Sequence, residues 1–358
     1  MKISILQPFI PHYRKAFIER LQALFFVETY CYNSAIKLKK NFFQSSDVKT
    51  KRNWSFEFKG VLIYDFLPFL SSDIVILMLN VSHLSTWILL LLSKLFGYKV
   101  ILWGHGISVK RYFNEEKKLS RLIRWQISLA DDIWFYTNKE KKIWENEFKN
   151  KRSFTSLNNT ISGIEDILNL NYSSIEIQNL RSKYKINADK VFIFCARFTI
   201  KERRADLLYS IIQGIPSNYA VIIIGDGQFK PDFSSFDNVY DFGSTYDKTL
   251  KEELFAISDI YLQPAWLGLS IVEAMAYGLP VFTLKRSETI KQCVEYEYLI
   301  ESHGGLVFSD IKEMVMVINK LGNINLDELG KNAKDYARYN LRMSDMVQNA
   351  KCSISKIS

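Results

Sequence analysis

The chain has 358 residues, 48% of them hydrophobic, with 47 Lys and Arg against 38 Asp and Glu for a net charge of +9. That length exceeds what one open α/β domain needs and predicts two domains with sizeable cores; the basic balance suits a nucleic acid, an anionic membrane surface or a phosphorylated substrate without choosing among them. The four cysteines, Cys31, Cys195, Cys293 and Cys352, lie far apart with no C-x-x-C or Cys/His spacing, which excludes a zinc site or a disulfide framework and fits a reducing cytoplasm.

In chain order, residues 2–7 read as a strand without the basic and long apolar regions of a signal peptide. Helical periodicity follows at 13–24, and 37–59 mixes basic and aromatic residues, as expected of a loop with a short strand pair. Strands are then predicted at 73–77, 98–103 and 132–136, with helices at 83–96 and 117–130. The apolar run from Trp87 to Leu92 is interrupted by Ser93, Lys94, Gly97 and Lys99, long before the ~20 residues a membrane span requires, so a buried helix is expected. After Asn150 the pattern weakens through Asn158 to Gly163, which places a linker at 158–170. A second series begins with strands at 191–195 and 220–224 and continues through Ile260 and Val281 to 306–308, with helical patterns over 310–320 and 326–354. Strand–helix alternation of this kind implies parallel sheets covered on both faces.

The most informative segment is Asp259-Ile-Tyr-Leu-Gln-Pro-Ala-Trp-Leu-Gly-Leu-Ser-Ile-Val-Glu-Ala-Met-Ala-Tyr-Gly-Leu-Pro280. A buried strand over 259–262 is broken by Pro264 and Gly268, and a short helix over 269–277 is closed by Gly278 and Pro280. Its N-terminus, at Gly268, Leu269 and Ser270, offers free backbone N–H groups and the positive end of the helix dipole to an anion. Glu273, one turn in, reads in two ways: as acceptor for vicinal ribose hydroxyls, or as the partner of Ser270 in an S-x-x-E capping box. Upstream, Arg197 follows the strand at 191–195, and the basic group Lys201-Glu-Arg203-Arg204 leads into the helix start Asp206-Leu-Leu208. Gly225-Asp-Gly227 follows the next strand. In the first half, Trp103-Gly-His105-Gly106 ends a strand in a glycine-flanked histidine, a placement expected to expose an imidazole able to titrate near neutrality. Lys110 to Trp125 carries basic residues and an aromatic on an amphipathic stretch that anionic headgroups would attract.

The pattern Pro264-x-x-x-Gly268-Leu-Ser-Ile-Val-Glu273-Ala-Met-Ala-x-Gly278-Leu-Pro280-Val resembles the donor-site signature of family 4 of the retaining glycosyltransferases. The resemblance implies the GT-B fold: α/β, two Rossmann-like domains with parallel sheets facing a central cleft, the first over 1–165 with a C-terminal helix at 338–358 packing back, the second over 166–337. In that family the signature carries two glutamates eight positions apart; the second matches Glu273, and the first falls on Ala265. Arg197 matches the family's arginine, with Ala196 in place of glycine, and one inserted residue puts Arg203, with Lys201 as substitute, where its lysine belongs. By the same resemblance Gly225, Gly227, Gly268, Leu269, Ser270 and Glu273 bind the donor, Asp241-Phe-Gly243 lies in the base-binding region, His105 contacts the donor sugar, and His12 or Arg14 meets the acceptor. No Asp-x-Asp follows a strand, and no metal or cofactor is expected beyond the nucleotide-sugar co-substrate. Arg197, Arg203 and the helix start near Leu269 would stabilise the leaving diphosphate.

The expected function is therefore transfer of a sugar from a nucleotide-diphosphate donor to a glycan or polyprenyl-linked acceptor in surface-polysaccharide synthesis, in the cytoplasm or peripherally on the inner face of the plasma membrane through 110–125. Alternatives are a GT-B nucleotide-sugar epimerase and a catalytically silent nucleotide-sensing or membrane module. No motif supports nucleic-acid binding, and Gln7-Pro-Phe-Ile-Pro11 stands where a dinucleotide enzyme needs its glycine turn.

Overall fold

The computed structural model describes residues 1–33, 47–116 and 118–358. The chain divides into two units, Met1–Gly163 with Met343–Ser358, and Ile164–Arg342.

Unit 1 runs β1 (Lys2–Gln7), α1 (Lys15–Leu24), β2 (Phe26–Cys31), β3 (Lys51–Arg52), β4 (Ser55–Phe58), β5 (Val61–Tyr64), β6 (Ile74–Met78), α2 (Leu84–Phe96), β7 (Lys99–Trp103), α3 (Tyr112–Glu115), α4 (Arg121–Leu129), β8 (Asp132–Phe135), α5 (Asn138–Glu147) and β9 (Thr155–Ser156). Seven of these strands form a parallel sheet in the order β3-β2-β1-β6-β7-β8-β9, and β4 with β5 makes a separate antiparallel hairpin. The chain order reverses between β1 and β6. β6, β7 and β8 are buried almost throughout, as strands covered on both faces must be, and so they read as continuous apolar runs.

Unit 2 runs α6 (Ile164–Asn169), α7 (Ser174–Lys183), β10 (Lys190–Cys195), α8 (Ala205–Gly214), β11 (Tyr219–Ile224), β12 (Val239–Asp241), α9 (Lys248–Ala256), β13 (Ile260–Leu262), α10 (Ser270–Tyr277), β14 (Val281–Leu284), α11 (Tyr296–Ser302), β15 (Gly305–Phe308), α12 (Ile311–Ile318) and α13 (Leu326–Asn340). Its six strands are all parallel, in the order β12-β11-β10-β13-β14-β15. Here the reversal falls between β10 and β13. The last helix, α14 (Met343–Ile357), belongs to unit 1.

Several expectations are corrected. The helical pattern over 326–354 is two helices, because the backbone leaves the helix at Leu341 (φ −122°, ψ 14°). The helix expected at 117–130 is α4, which starts behind Ser120, whose hydroxyl caps it by accepting from the Ile123 N–H. Lys117 and the first part of the 37–59 loop, through residue 46, lie outside the described residues; the remainder supplies β3 and β4, and β4 pairs with β5 just beyond it. α2 is not buried: one face packs inward, and Leu84, Ile88, Leu91 and Leu95 face solvent. Among the described residues no helix is long and apolar enough to cross a membrane.

Candidate active site

In open parallel sheets ligands bind outside the carboxyl ends of the strands, where the strand order reverses. In unit 2 the segments leaving β10 and β13 flank that reversal, and these segments carry Arg197, Lys201 and Arg203 on one side and Gly268, Leu269, Ser270 and Glu273 on the other. The chain after β10 is held against the chain after β11: the Ala196 N–H donates to Ile224 O (3.0 Å) and the Phe198 N–H to Asp226 O (2.9 Å). This approach explains Gly225, with φ at +147°. A Cβ there would stand 2.0 Å from Ala196 O, so the turn tolerates only glycine. Gly227 is equally confined, against the Phe198 backbone.

The loop from β13 to α10 is fixed from below by two fully buried glutamines. Gln263 donates to the carbonyls of Ala265 (3.1 Å) and Trp266 (2.7 Å), and its oxygen accepts from Tyr261 Oη (2.6 Å) and Ser270 Oγ (3.1 Å). Gln292 accepts from the Leu267 N–H (2.8 Å) and donates to Leu284 O (2.8 Å). Together they hold Trp266 in the left-handed region, φ +56°, which is costly for a residue with a bulky side chain and is found where surrounding structure over-determines the backbone. Ala265, where the family's first glutamate falls, is fully buried.

The capping-box reading of Ser270 and Glu273 is overturned. The N-cap of α10 is Leu269 and no side chain caps the helix, whereas Thr137 with Glu140 and Ser173 with Glu176 do form such boxes at α5 and α7. Ser270 bonds to Gln263 instead, and both carboxylate oxygens of Glu273 accept from Lys251 Nζ of α9, at 2.8 and 2.9 Å. Burial by itself would lower the Lys251 pKa; the Glu273 carboxylate more than reverses this and holds it above the ordinary lysine value. Gly278 ends α10 in the left-handed conformation, φ +78°.

Arg203 and Lys201 part company. Lys201 is exposed, with Nζ 5.8 Å from the centre of the Phe229 ring. Arg203 turns inward, and burial, joined by the neighbouring Arg197, lowers its pKa. Its Nε is buried without a hydrogen-bond partner. A guanidinium so placed carries a desolvation cost that an anionic ligand offsets.

Unit 1 builds a second polar cluster at the ends of β1, β7 and β8. Arg14 is buried, donating to Gln7 Oε1 (2.9 Å) and to Tyr136 Oη (2.5 Å), with its guanidinium 4.1 Å from the Trp103 ring centre. His105 is not the exposed, near-neutral imidazole expected: its ring stands edge-on to Tyr136 at 4.2 Å, and burial, with Arg14 nearby, pulls its pKa down to about 4. It is neutral at physiological pH. His12 is exposed, edge-on to Tyr13. Among the described residues no group of three or more His, Cys, Asp or Glu could hold a metal ion.

Lys251, Gln263 and Gln292 were missed by the sequence reading. Gln263 sits between strand and proline, where a signal was available; Lys251 lies in an ordinary amphipathic helix 22 residues from Glu273.

Residues 189–323 match the family of group 1 glycosyl transferases. That span holds Arg197, Arg203, Lys251 and Glu273. An uncharacterized glycosyltransferase of Methanocaldococcus jannaschii is 28% identical over 245 residues, 62% of this chain and 57% of that protein, so the chain spans little more than half the length of that relative. One of Haemophilus influenzae is 24% identical over 317 residues, 84% of this chain and 76% of the other. Among solved structures, Anabaena HepE in complex with UDP aligns with a TM-score of 0.68 at 15% identity, over 99% of this chain and 100% of that one. WaaG, a glycosyltransferase involved in lipopolysaccharide biosynthesis, aligns at 0.60 and 14% identity, over 99% and 98%. At such identities the likeness shows the fold, which is GT-B.

Proposed function

We propose that the protein is a glycosyltransferase that takes a sugar from a nucleotide-diphosphate donor, with retention, and passes it to a glycan or lipid-linked acceptor of a surface polysaccharide. The observation that carries this is Arg203: a half-buried guanidinium with a buried, unpartnered Nε, beside Arg197, at the strand-order reversal, opposite a helix N-terminus that no side chain caps. Two cations and a helix dipole converging there suit a pyrophosphate, and they take the part a metal plays elsewhere in stabilising the departing diphosphate. Glu273, its carboxylate oriented by Lys251, is the acceptor for the ribose hydroxyls. The match of this segment to group 1 glycosyl transferases supports the reading, as does the UDP and UDP-glucose bound in the Anabaena structures. In unit 1, His105 as a neutral imidazole, Arg14 and His12 are the candidates for binding the acceptor, and the basic segment 110–125 draws the protein to an anionic membrane.

Calorimetry with UDP, GDP and uridine tests this. One nucleotide diphosphate should bind, and Arg203→Met and Glu273→Gln should each weaken it at least tenfold, about 1.4 kcal/mol. Only the first variant should leave uridine binding unchanged. A folded wild-type protein that binds neither diphosphate overturns the donor site. Binding without transfer favours the second reading, a silent nucleotide-binding module, to which the buried Ala265 in place of a glutamate points.

A further inference from the structure

A helix that is apolar all round is ordinarily enclosed, and α2 is not. Its small polar residues lie on the inside, where Ser85 Oγ donates to Tyr64 O (2.6 Å) and Thr86 meets the Tyr64 hydroxyl (2.8 Å). Its solvent face is the stripe Leu84, Ile88, Leu91 and Leu95, of which the last two are 58% and 81% exposed. The β4–β5 hairpin repeats the inversion. Phe56 pairs with Ile63 and Phe58 with Val61 on one side, all four exposed, while Leu62 and Tyr64 on the other side are buried. α2 packs against both β5 and α4, and Trp87 meets the exposed Trp125 at 4.8 Å. The outward apolar side chains thus lie on three neighbouring elements, more of them together than singly scattered exposed hydrophobes account for.

Charge says what covers them. Unit 1 holds 27 Lys and Arg against 14 Asp and Glu, a net +13, while unit 2 holds 20 against 24, a net −4. Exposed Lys59, Lys94, Arg121 and Arg124 stand at the hairpin turn, on α2 and on α4. A second copy docked symmetrically through the same face would bring like charge to like; an anionic bilayer brings the opposite charge and an apolar interior. We propose that this face is a membrane-insertion surface for anionic phospholipid, with the α2 stripe and the hairpin seated at the boundary between headgroups and acyl chains. This goes beyond electrostatic attraction through 110–125, and it does not rest on the donor site.

The test is sedimentation of the full chain with vesicles of phosphatidylcholine, with and without phosphatidylglycerol. The protein pellets with the anionic vesicles, and bromine-labelled lipid quenches its fluorescence less in Trp54→Phe than in the wild type. Leu91→Ser with Leu95→Ser, and separately Phe56→Ser with Phe58→Ser, keep the charge and the buried face. Each pair should lower partitioning by about tenfold or more, with thermal unfolding and UDP binding unchanged. Three results overturn the proposal: no pelleting with anionic vesicles, pelleting that both serine pairs leave intact, or a wild-type dimer that the serine pairs convert to monomer.

Discussion

His83 precedes α2 and is buried against the edge of Tyr32, with the rings 6.1 Å apart. Burial lowers its pKa from 6.5 to about 4, against a smaller opposing pull from Glu57. Between those values the unfolded chain binds a proton that the folded chain refuses, so stability is present above about pH 6.5 and is lost as the pH falls toward 4. From pH 7 to pH 5 His83 should account for a loss of about 2 kcal/mol. In His83→Gln the urea midpoint should therefore fall less over that interval than in the wild type, and an equal fall in both would show that His83 becomes charged without unfolding. His105, shifted in the same direction, leaves a residual slope in the variant.

Between elements, one close approach in unit 2 is made by a glycine in the middle of a helix. Gly330 of α13 faces the end of α10, where an added Cβ would stand 2.2 Å from Gly278 O and 3.5 Å from Pro280 Cδ. Gly330→Ala gains up to ~1 kcal/mol of helix propensity yet forces two helices apart, so a net loss of about 1–3 kcal/mol is expected in chemical denaturation; a stabilised variant would show that the helices separate freely. Contacts of this sort are invisible in sequence, and they mark the boundary of what could be read. The central strands were legible because burial on both faces makes them unbroken apolar runs. β3 and β9 were not, being too short for periodicity. The break between α13 and α14 was hidden because Leu341 and Arg342 carry no proline or glycine signal. α2 was misread because its composition predicts burial in water and says nothing of a face turned outward. At the site, Arg203 and Glu273 stood out through the resemblance to the family 4 signature, while Lys251 and Gln292 become visible only when α9 and the loop before α11 come to lie beside α10.

Unit 1 is discontinuous, with all of unit 2 inserted between Gly163 and Met343, and α14 is the piece that completes it. Met343, Met346, Ala350 and Ile354 are buried, and Ser353 Oγ accepts from Trp134 Nε1 (2.7 Å) while donating to Asp132 Oδ2. Ser353→Ala leaves an indole N–H and a carboxylate oxygen buried without this partner, at a cost of about 1–3 kcal/mol. A chain ending at Arg342 loses that bond together with the apolar face of the helix. Six of the seven tryptophans, all except Trp266, lie in unit 1, so tryptophan fluorescence reports chiefly that unit, whereas far-ultraviolet circular dichroism reports both. On heating, the truncated chain should show its fluorescence transition at lower temperature than the full chain. Its dichroism should separate into two steps, the later one belonging to unit 2, whose own core is continuous from Phe192 to Leu321. A single transition shared by both probes and lowered as a whole would mean that unit 2 does not outlast unit 1.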